Sequence, residues 1–324
     1  MRILLAGGAG FIGSHIADAL LARGDEVIAI DNFATGRREN VAHLKGNAKF
    51  TLIEHDITLP WPVHQALTAK FDAVLDYASP ASPNDFATMP LEILAVGSTG
   101  TRNLLDRAKA DGAVFFLTST SEVYGDPLEN PQSETYFGNV NPFGLRSCYD
   151  EAKRFSEALL MAHHRTSKLN LGIVRIFNTY GPRLDPDDGR VVSTIIMQAI
   201  VNHDVTIHGD GSQTRSFCYV DDLIRGIIAL ADSSEVGPIN LGNNIEITVS
   251  KLAEMVLKLC GSKSKVVFTQ AMEDDPQQRC PDLAQAKDKL GWEPQVPVED
   301  GLKKTIEWFN KTTINALARN GKEI

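Results

Sequence analysis

The stretch RILLAGGAGFIGSHIADALLAR, residues 2 to 23, limits what this chain can become more than any other. Residues 3 to 6 form an apolar run that stops at Gly7, glycines follow at 7, 8, 10 and 13, and Ile12, Ile16, Ala19 and Leu20 recur at helical spacing. That order predicts a strand, a tight turn and a helix. Gly7 permits the turn, Gly10 lets backbone N–H groups approach a pyrophosphate, and Gly13 lets the helix lie close on the strand with its dipole facing the anion. Glycines also serve plain turns, so a dinucleotide site needs an acid about 20 residues on, after a second strand. Residues 26 to 30 read as that strand and Asp31 ends it. Asp31 can accept the ribose hydroxyls of NAD and opposes the 2′-phosphate of NADP, while Arg37 and Arg38 keep the phosphate-bearing cofactor open.

Further strand-like runs at 50–54, 73–77, 114–117 and 171–176 alternate with helical patterns such as 91–110 and 151–163. This predicts an α/β fold, a Rossmann-type doubly wound parallel sheet with a smaller C-terminal substrate-binding lobe. A chain of 324 residues exceeds the roughly 250 to 300 that one core absorbs, so two joined lobes are expected. They divide as 1–176, binding NAD, and 177–324, mainly binding substrate, with a segment near 214–241 returning to the first. After 176 the elements shorten: helices at 192–202 and 220–231, a strand at 205–208, a helix begun by Thr248 and ended by Gly261, another at 282–290 stopped at Gly291, and a last at 298–312. The longest irregular stretch is the loop at 126–144, and long loops in compact domains are usually functional.

The net charge is −9 and no long basic block interrupts it, which gives no support to a nucleic-acid or anionic-membrane partner and points to a small molecule. No run of about 18 apolar residues occurs, and the apolar start lacks the flanks of a signal peptide, so a soluble, cytoplasmic protein is expected. Cys148, Cys218, Cys260 and Cys280 lie far apart without CxxC spacing, which predicts reduced thiols, neither disulfide nor structural zinc. The eight histidines show no metal spacing either.

Ligands of open parallel sheets bind beyond the carboxyl ends of the strands, so Thr118, Ser119, Thr120, Ser121 and Glu122 matter after the run at 114–117. Alone, such a cluster is a turn and a helix cap. Tyr149 and Lys153 stand four apart, on one helix face, where the ammonium can favour the phenolate. A tyrosine so tuned exchanges a proton with a sugar hydroxyl while NAD takes the hydride. Such pairs also occur as ordinary surface pairs; behind a cofactor strand and a hydroxyl-bearing strand end, they point to catalysis.

The pattern GGAGFIGSH followed by Tyr149 and Lys153 as YxxxK resembles the extended short-chain dehydrogenase/reductase family. Within it, YASPASP (77–83), TSTSEVYGDP (118–127), RSCYDEAKR (146–154), RIFNTYGPR (175–183), DGRVV (188–192), GDGSQTRSFCYVDDL (209–223) and LGWEPQVPVEDGL (290–302) are similar to the UDP-glucuronate decarboxylases. The resemblance implies NAD-dependent decarboxylation of UDP-glucuronate to UDP-xylose through a 4-keto intermediate, the cofactor being recycled in the site. It gives Thr120 the hydroxyl role, Tyr149 the acid/base role, Lys153 the lysine role and Glu122 a place at the sugar. On the cofactor it places Gly7, Gly10, Phe11, Ile12, Gly13, Asp31 and Asn32, then Asp56 and Ile57 at the adenine and Tyr77, Ala78 and Ser79 beneath the nicotinamide, with Tyr149 and Lys153. Arg215 and Arg279 match diphosphate-holding positions, and Asn178 and Arg190 match substrate-contacting stretches; each also reads as surface charge or a turn residue. A homodimer through the helices at 91–110 and 151–163 is implied as well.

A UDP-sugar 4-epimerase starts from the same oxidation and stands as the alternative. A 4,6-dehydratase would call for an aspartate where Ser121 stands, and a non-catalytic NAD-binding sensor would not need Thr120, Tyr149 and Lys153 intact. The chain departs from the family pattern at Asp76 and Tyr77, where the decarboxylases usually have His-Leu, and at Gly97, where an asparagine is frequent. The first bears on packing at the cofactor, the second on bracing of the central helix.

Overall fold

The computed structural model describes residues 1–271 and 276–319, with side chains up to 312. From the N-terminus run β1 (Arg2–Ala6), β2 (Glu26–Asp31), β3 (Phe50–Glu54), β4 (Ala73–Asp76), β5 (Val114–Thr120) and β6 (Leu171–Ile176). Shorter strands follow: β7 (Thr179–Tyr180), β8 (Val205–His208), β9 (Thr214–Ser216), β10 (Cys218–Tyr219) and β11 (Ile239–Leu241), then β12 (Glu246–Thr248), β13 (Val266–Thr269) and β14 (Gln278–Arg279). The main sheet has the order β11-β6-β5-β4-β1-β2-β3, parallel throughout. Strands buried on both faces need continuous apolar runs, and Leu4, Leu5, Ala6 and Val27 to Ile30 are all fully buried.

The helices are α1 (Phe11–Arg23), α2 (Pro83–Thr88), α3 (Pro90–Ala95), α4 (Thr101–Asp111), α5 (Ser147–Ser167), α6 (Val191–Ile200), α7 (Val220–Ala231), α8 (Val249–Cys260), α9 (Ala284–Leu290) and α10 (Val298–Arg319). Thr248 caps α8 through the Lys251 N–H, and Gly261 closes it in the left-handed region, as the sequence predicts. One hydrophobic cluster runs from Ile3 and Leu5 through Val174 and Leu223 to Leu252 and Phe309, so both halves of the chain share a core. All four cysteines are free thiols, and no helix among the described residues is long and apolar enough to cross a membrane.

Three differences from the sequence reading have physical causes. The single helix expected at 91–110 is interrupted by a π-helical turn, Val96–Gly100, between α3 and α4. Gly97 and Gly100 are weak helix formers, and the Ser156 hydroxyl donates to the Gly97 carbonyl at 2.7 Å, drawing it out of the helical ladder. Strand β5 runs on through Thr118, Ser119 and Thr120, because β6 offers Val174, Arg175 and Ile176 as partners. Finally, α5 starts at Ser147 rather than 151, which puts Tyr149 in its first turn and Lys153 one turn later. Strands β7, β9, β10, β12 and β14, of two or three residues each, are too short to show a period in sequence.

Candidate active site

A cleft of about 730 Å³ opens beyond the carboxyl ends of β1, β4, β5 and β6 and runs from the glycine turn to Arg279. At its first end Gly7 has φ 75°, and a Cβ there would lie 2.5 Å from the Tyr77 carbonyl; a Cβ on Gly13 would lie 2.0 Å from that of Gly7. Only bare backbone fits. No side chain caps α1, which leaves its first-turn N–H groups at the cleft wall formed by Gly10, Phe11, Ile12 and Gly13.

Asp31 lies behind that wall, its two carboxylate oxygens accepting Ala9 N–H at 2.9 Å and Phe33 N–H at 2.8 Å. Burial pushes its pKa up and these bonds oppose the rise. A carboxylate has further lone pairs for a ribose. Arg37 is turned to Asp185 at 3.3 Å, and Arg38 pairs with Glu54 and stacks 3.9 Å over Phe33, so both arginines that kept a phosphate-bearing cofactor open have other partners. Asn32 donates to Asp56 at 3.1 Å, and Asp56 also accepts from the Thr58 N–H and hydroxyl; burial works to raise its pKa, but these bonds prevail and hold it down. Asn32, Asp56, Ile57 and Ala78, like Asp31, do not line the cleft, whereas Tyr77 and Ser79 do. The bare glycine cradle and the acid at the end of β2 fit a dinucleotide.

At the other end Thr120, Glu122, Tyr149, Lys153, Asn178, Arg190, Arg215 and Arg279 all face one space. Tyr149 stacks on Phe86, ring centroids 5.3 Å apart, which fixes its ring. Burial pushes its phenol up to about 12, opposed by a hydrogen bond from Thr120. The sequence reading has Lys153 pull the phenol the other way; its ammonium donates to the Thr118 carbonyl at 3.0 Å and lies 5.9 Å from the centre of the tyrosine ring. Burial dominates here.

Glu122 is bonded by Arg146 and, at 3.1 Å, by Arg279, which also donates to the Ser121 carbonyl at 2.6 Å. Burial works against the charge of Glu122, yet Arg279 and Arg146 outweigh it and hold the carboxyl well below its usual range. Asp150 moves the opposite way, raised by burial and by the nearby charge of Glu122. Arg215 and Arg279 sit side by side in the pairing of β9 with β14. Arg190 is paired with Asp188 at 2.7 Å, and the Asn178 carbonyl holds Cys218 N–H at 2.9 Å. Sequence reasoning did not single out Arg146 or Asp150, and it names the buried Asp76 only as a departure from the family pattern. Arg146 and Asp150 fall within the RSCYDEAKR segment, and flanking Tyr149 is the one local signal they give.

A cradle for a dinucleotide leading to a Thr, Tyr and Lys set defines an NAD-dependent enzyme of the short-chain dehydrogenase/reductase class. The chain belongs to the NAD dependent epimerase/dehydratase family, whose model matches residues 3–242. It is 49% identical over 315 residues, 97% of this chain and 71% of the other, to UDP-glucuronic acid decarboxylase 1 of Arabidopsis thaliana. Among solved structures it is similar to the UDP-glucose 4-epimerase of Thermotoga maritima with UDP-glucose, at 30% identity and a TM-score of 0.88, covering 97% of this chain and 100% of that one. It is also similar to a UDP-glucuronic acid 4-epimerase variant of Bacillus cereus in complex with NAD and UDP-4-deoxy-4-fluoro-glucuronic acid, at 29% identity and a TM-score of 0.87, covering 96% and 100%.

Proposed function

We propose that this enzyme converts UDP-glucuronate to UDP-xylose and carbon dioxide. NAD, held by the glycine cradle and Asp31, supplies one reversible hydride transfer. The observation that carries the reading is Glu122, kept ionised by Arg146 and Arg279 beside Thr120 and Tyr149. Similarity supports it: the decarboxylase relative is 49% identical, while the solved 4-epimerases stand at 30% and 29%.

Tyr149 takes the proton of the sugar's 4-hydroxyl, with Thr120 on the same oxygen and Lys153 supplying positive charge behind them. The carboxylate on carbon 5 is then β to a ketone. Thr120 and Tyr149 donate to the carbon-4 oxygen as charge grows on it and carbon dioxide leaves. Glu122, facing the sugar carboxylate, disfavours its charged ground state. Carbon 5 takes a proton, and Tyr149 returns its own as the 4-hydroxyl re-forms. Of the two arginines expected at the diphosphate, Arg279 bonds Glu122 and the Ser121 carbonyl, so we assign it to the sugar carboxylate and Arg215 to the diphosphate, with Asn178 and Arg190 along the nucleotide.

In this reading residues 1–176 bind NAD and 177–324 mainly bind substrate, with 214–241 packing back on the first part. A homodimer through α3 and α5 is supported by Leu91, Leu94 and Phe155, large apolar side chains exposed on those helices. Four free thiols suit the cytosol.

The test is incubation with UDP-glucuronate, without added reductant, following carbon dioxide and the sugar nucleotide by NMR. Carbon dioxide with UDP-xylose is expected. UDP-galacturonate without carbon dioxide would replace the decarboxylase by the 4-epimerase, and NAD binding with no turnover of any UDP-sugar would leave a sensor.

A further inference from the structure

Asp76 ends β4, is 1% exposed, and has no part in the chemistry above. One carboxylate oxygen accepts the Thr101 hydroxyl at 2.8 Å and the other is buried without a hydrogen-bond partner among the described residues; burial raises the pKa of this acid, and the charge of Lys153, the Thr101 hydroxyl and the Ala78 N–H oppose the rise. A buried carboxylate so sparsely bonded is costly unless a cation balances it. The surroundings lead to one. The Thr118 hydroxyl donates to the Asp76 carbonyl at 2.7 Å, and the Thr118 carbonyl accepts the ammonium of Lys153 at 3.0 Å, so a single residue of β5 joins the strand that carries the acid to the lysine. From the other side Ser156, on the turn of α5 after Lys153, comes within 3.5 Å of the same Thr101 hydroxyl that bonds Asp76.

Among the described residues, the charged groups that bear on Lys153 are Asp76, from β4, and Glu157, on its own helix. Glu157 is already matched: Arg175 bonds both its oxygens, at 2.9 and 2.7 Å, and the Ser119 hydroxyl adds a third bond. Among the described residues, the one charged group that bears on Asp76 is Lys153.

We propose that Asp76 is the counter-ion of Lys153, a positioning residue that balances the buried ammonium and holds it beneath Tyr149 and the cofactor. The proposal rests on the reading of Lys153 as part of the proton-handling set. Burial draws the lysine's pKa down, and the charge of Asp76 opposes that fall. Removing the charge while keeping the shape therefore makes Lys153 lose its proton at lower pH.

The variant is Asp76→Asn in the full chain. Protein labelled with ¹⁵N-lysine, with the Lys153 signal assigned through Lys153→Met, gives the titration directly; the pH profile of carbon dioxide release from UDP-glucuronate gives it through turnover. In Asp76→Asn the Lys153 signal is expected to titrate about one pH unit or more lower, and the alkaline limb of the profile to move with it. A purely structural role would lower turnover evenly across pH and leave both midpoints in place, as would an Asp76 that is neutral in the native protein; either result overturns the proposal. If the wild-type protein released no carbon dioxide, the decarboxylase reading would fail while the lysine titration still decided this point. Should Asp76→Asn not fold, Thr101→Val withdraws the hydrogen bond that steadies the charge of Asp76, and it is expected to move both midpoints the same way by less. Unmoved midpoints there would count equally against the counter-ion.

Discussion

At the cofactor end of the cleft one short stretch, Gly7 to Gly13, offers bare backbone around a single buried acid, and the partners of that acid are main-chain N–H groups. At the sugar end Glu122, Arg146 and Arg279 arrive from the turn after β5, from the start of α5 and from β14, and carry their charges into the protein together. The first site leaves room for a ligand because side chains are missing. The second is ordered because each charge is held by another, so its members are not separable.

Removing one member should therefore harm the sugar end far more than the cofactor end. Arg279→Met leaves the partly buried Glu122 with one of its two arginines and is expected to cost about 3 kcal/mol of stability, the lower end of the range for breaking a buried ion pair. Asp31→Asn, which alters hydrogen bonds to backbone, should cost only about 1 to 2 kcal/mol. Chemical denaturation of both variants tests the contrast, and equal losses would break it.

Within the sugar end, Tyr149→Phe keeps the ring on Phe86 but deletes the hydroxyl, so kcat should fall about 10²-fold or more with NAD affinity retained. Near-normal initial rates would place the proton relay elsewhere. At the cofactor end the effect is smaller: NAD should bind at least about tenfold tighter than NADP, roughly 1.4 kcal/mol, and Asp31→Ser should narrow the gap. Equal affinities in calorimetry would remove Asp31 from the ribose.

The smallest effect concerns Asp150. Its native pKa is raised, so from about pH 4, where the unfolded chain releases this proton, the native state retains it and each rise in pH costs stability. Asp150→Asn lacks that proton, so its melting temperature should gain on the wild type between pH 5 and about 7. A constant difference across that range would show that burial and Glu122 leave Asp150 at its ordinary value.

The same contrast explains how much could be read from the residues alone. The strand, turn and helix of β1 and α1, the acid ending β2, and the Tyr and Lys four apart are local patterns, each complete within some 30 residues. The long element at 91–110 looked like one helix because nothing nearby reveals that Ser156 reaches across to the Gly97 carbonyl. Likewise Glu122 was visible as a glutamate, but its charge state depends on Arg146, 24 residues away, and Arg279, 157 residues away. Periodicity carries no record of such meetings.

Gly97 also bears on how this enzyme can be recombined with its kin. A Cβ at that position would lie 2.7 Å from that of Ala152, so α5 leans directly on the backbone of the π-helical turn. The asparagine frequent at this place in the wider family would wedge away the helix that carries Tyr149 and Lys153 unless residue 152 changed with it. In a chimeric library, a crossover between 97 and 156 would part surfaces shaped to each other, and productive exchanges should carry the whole segment from one parent.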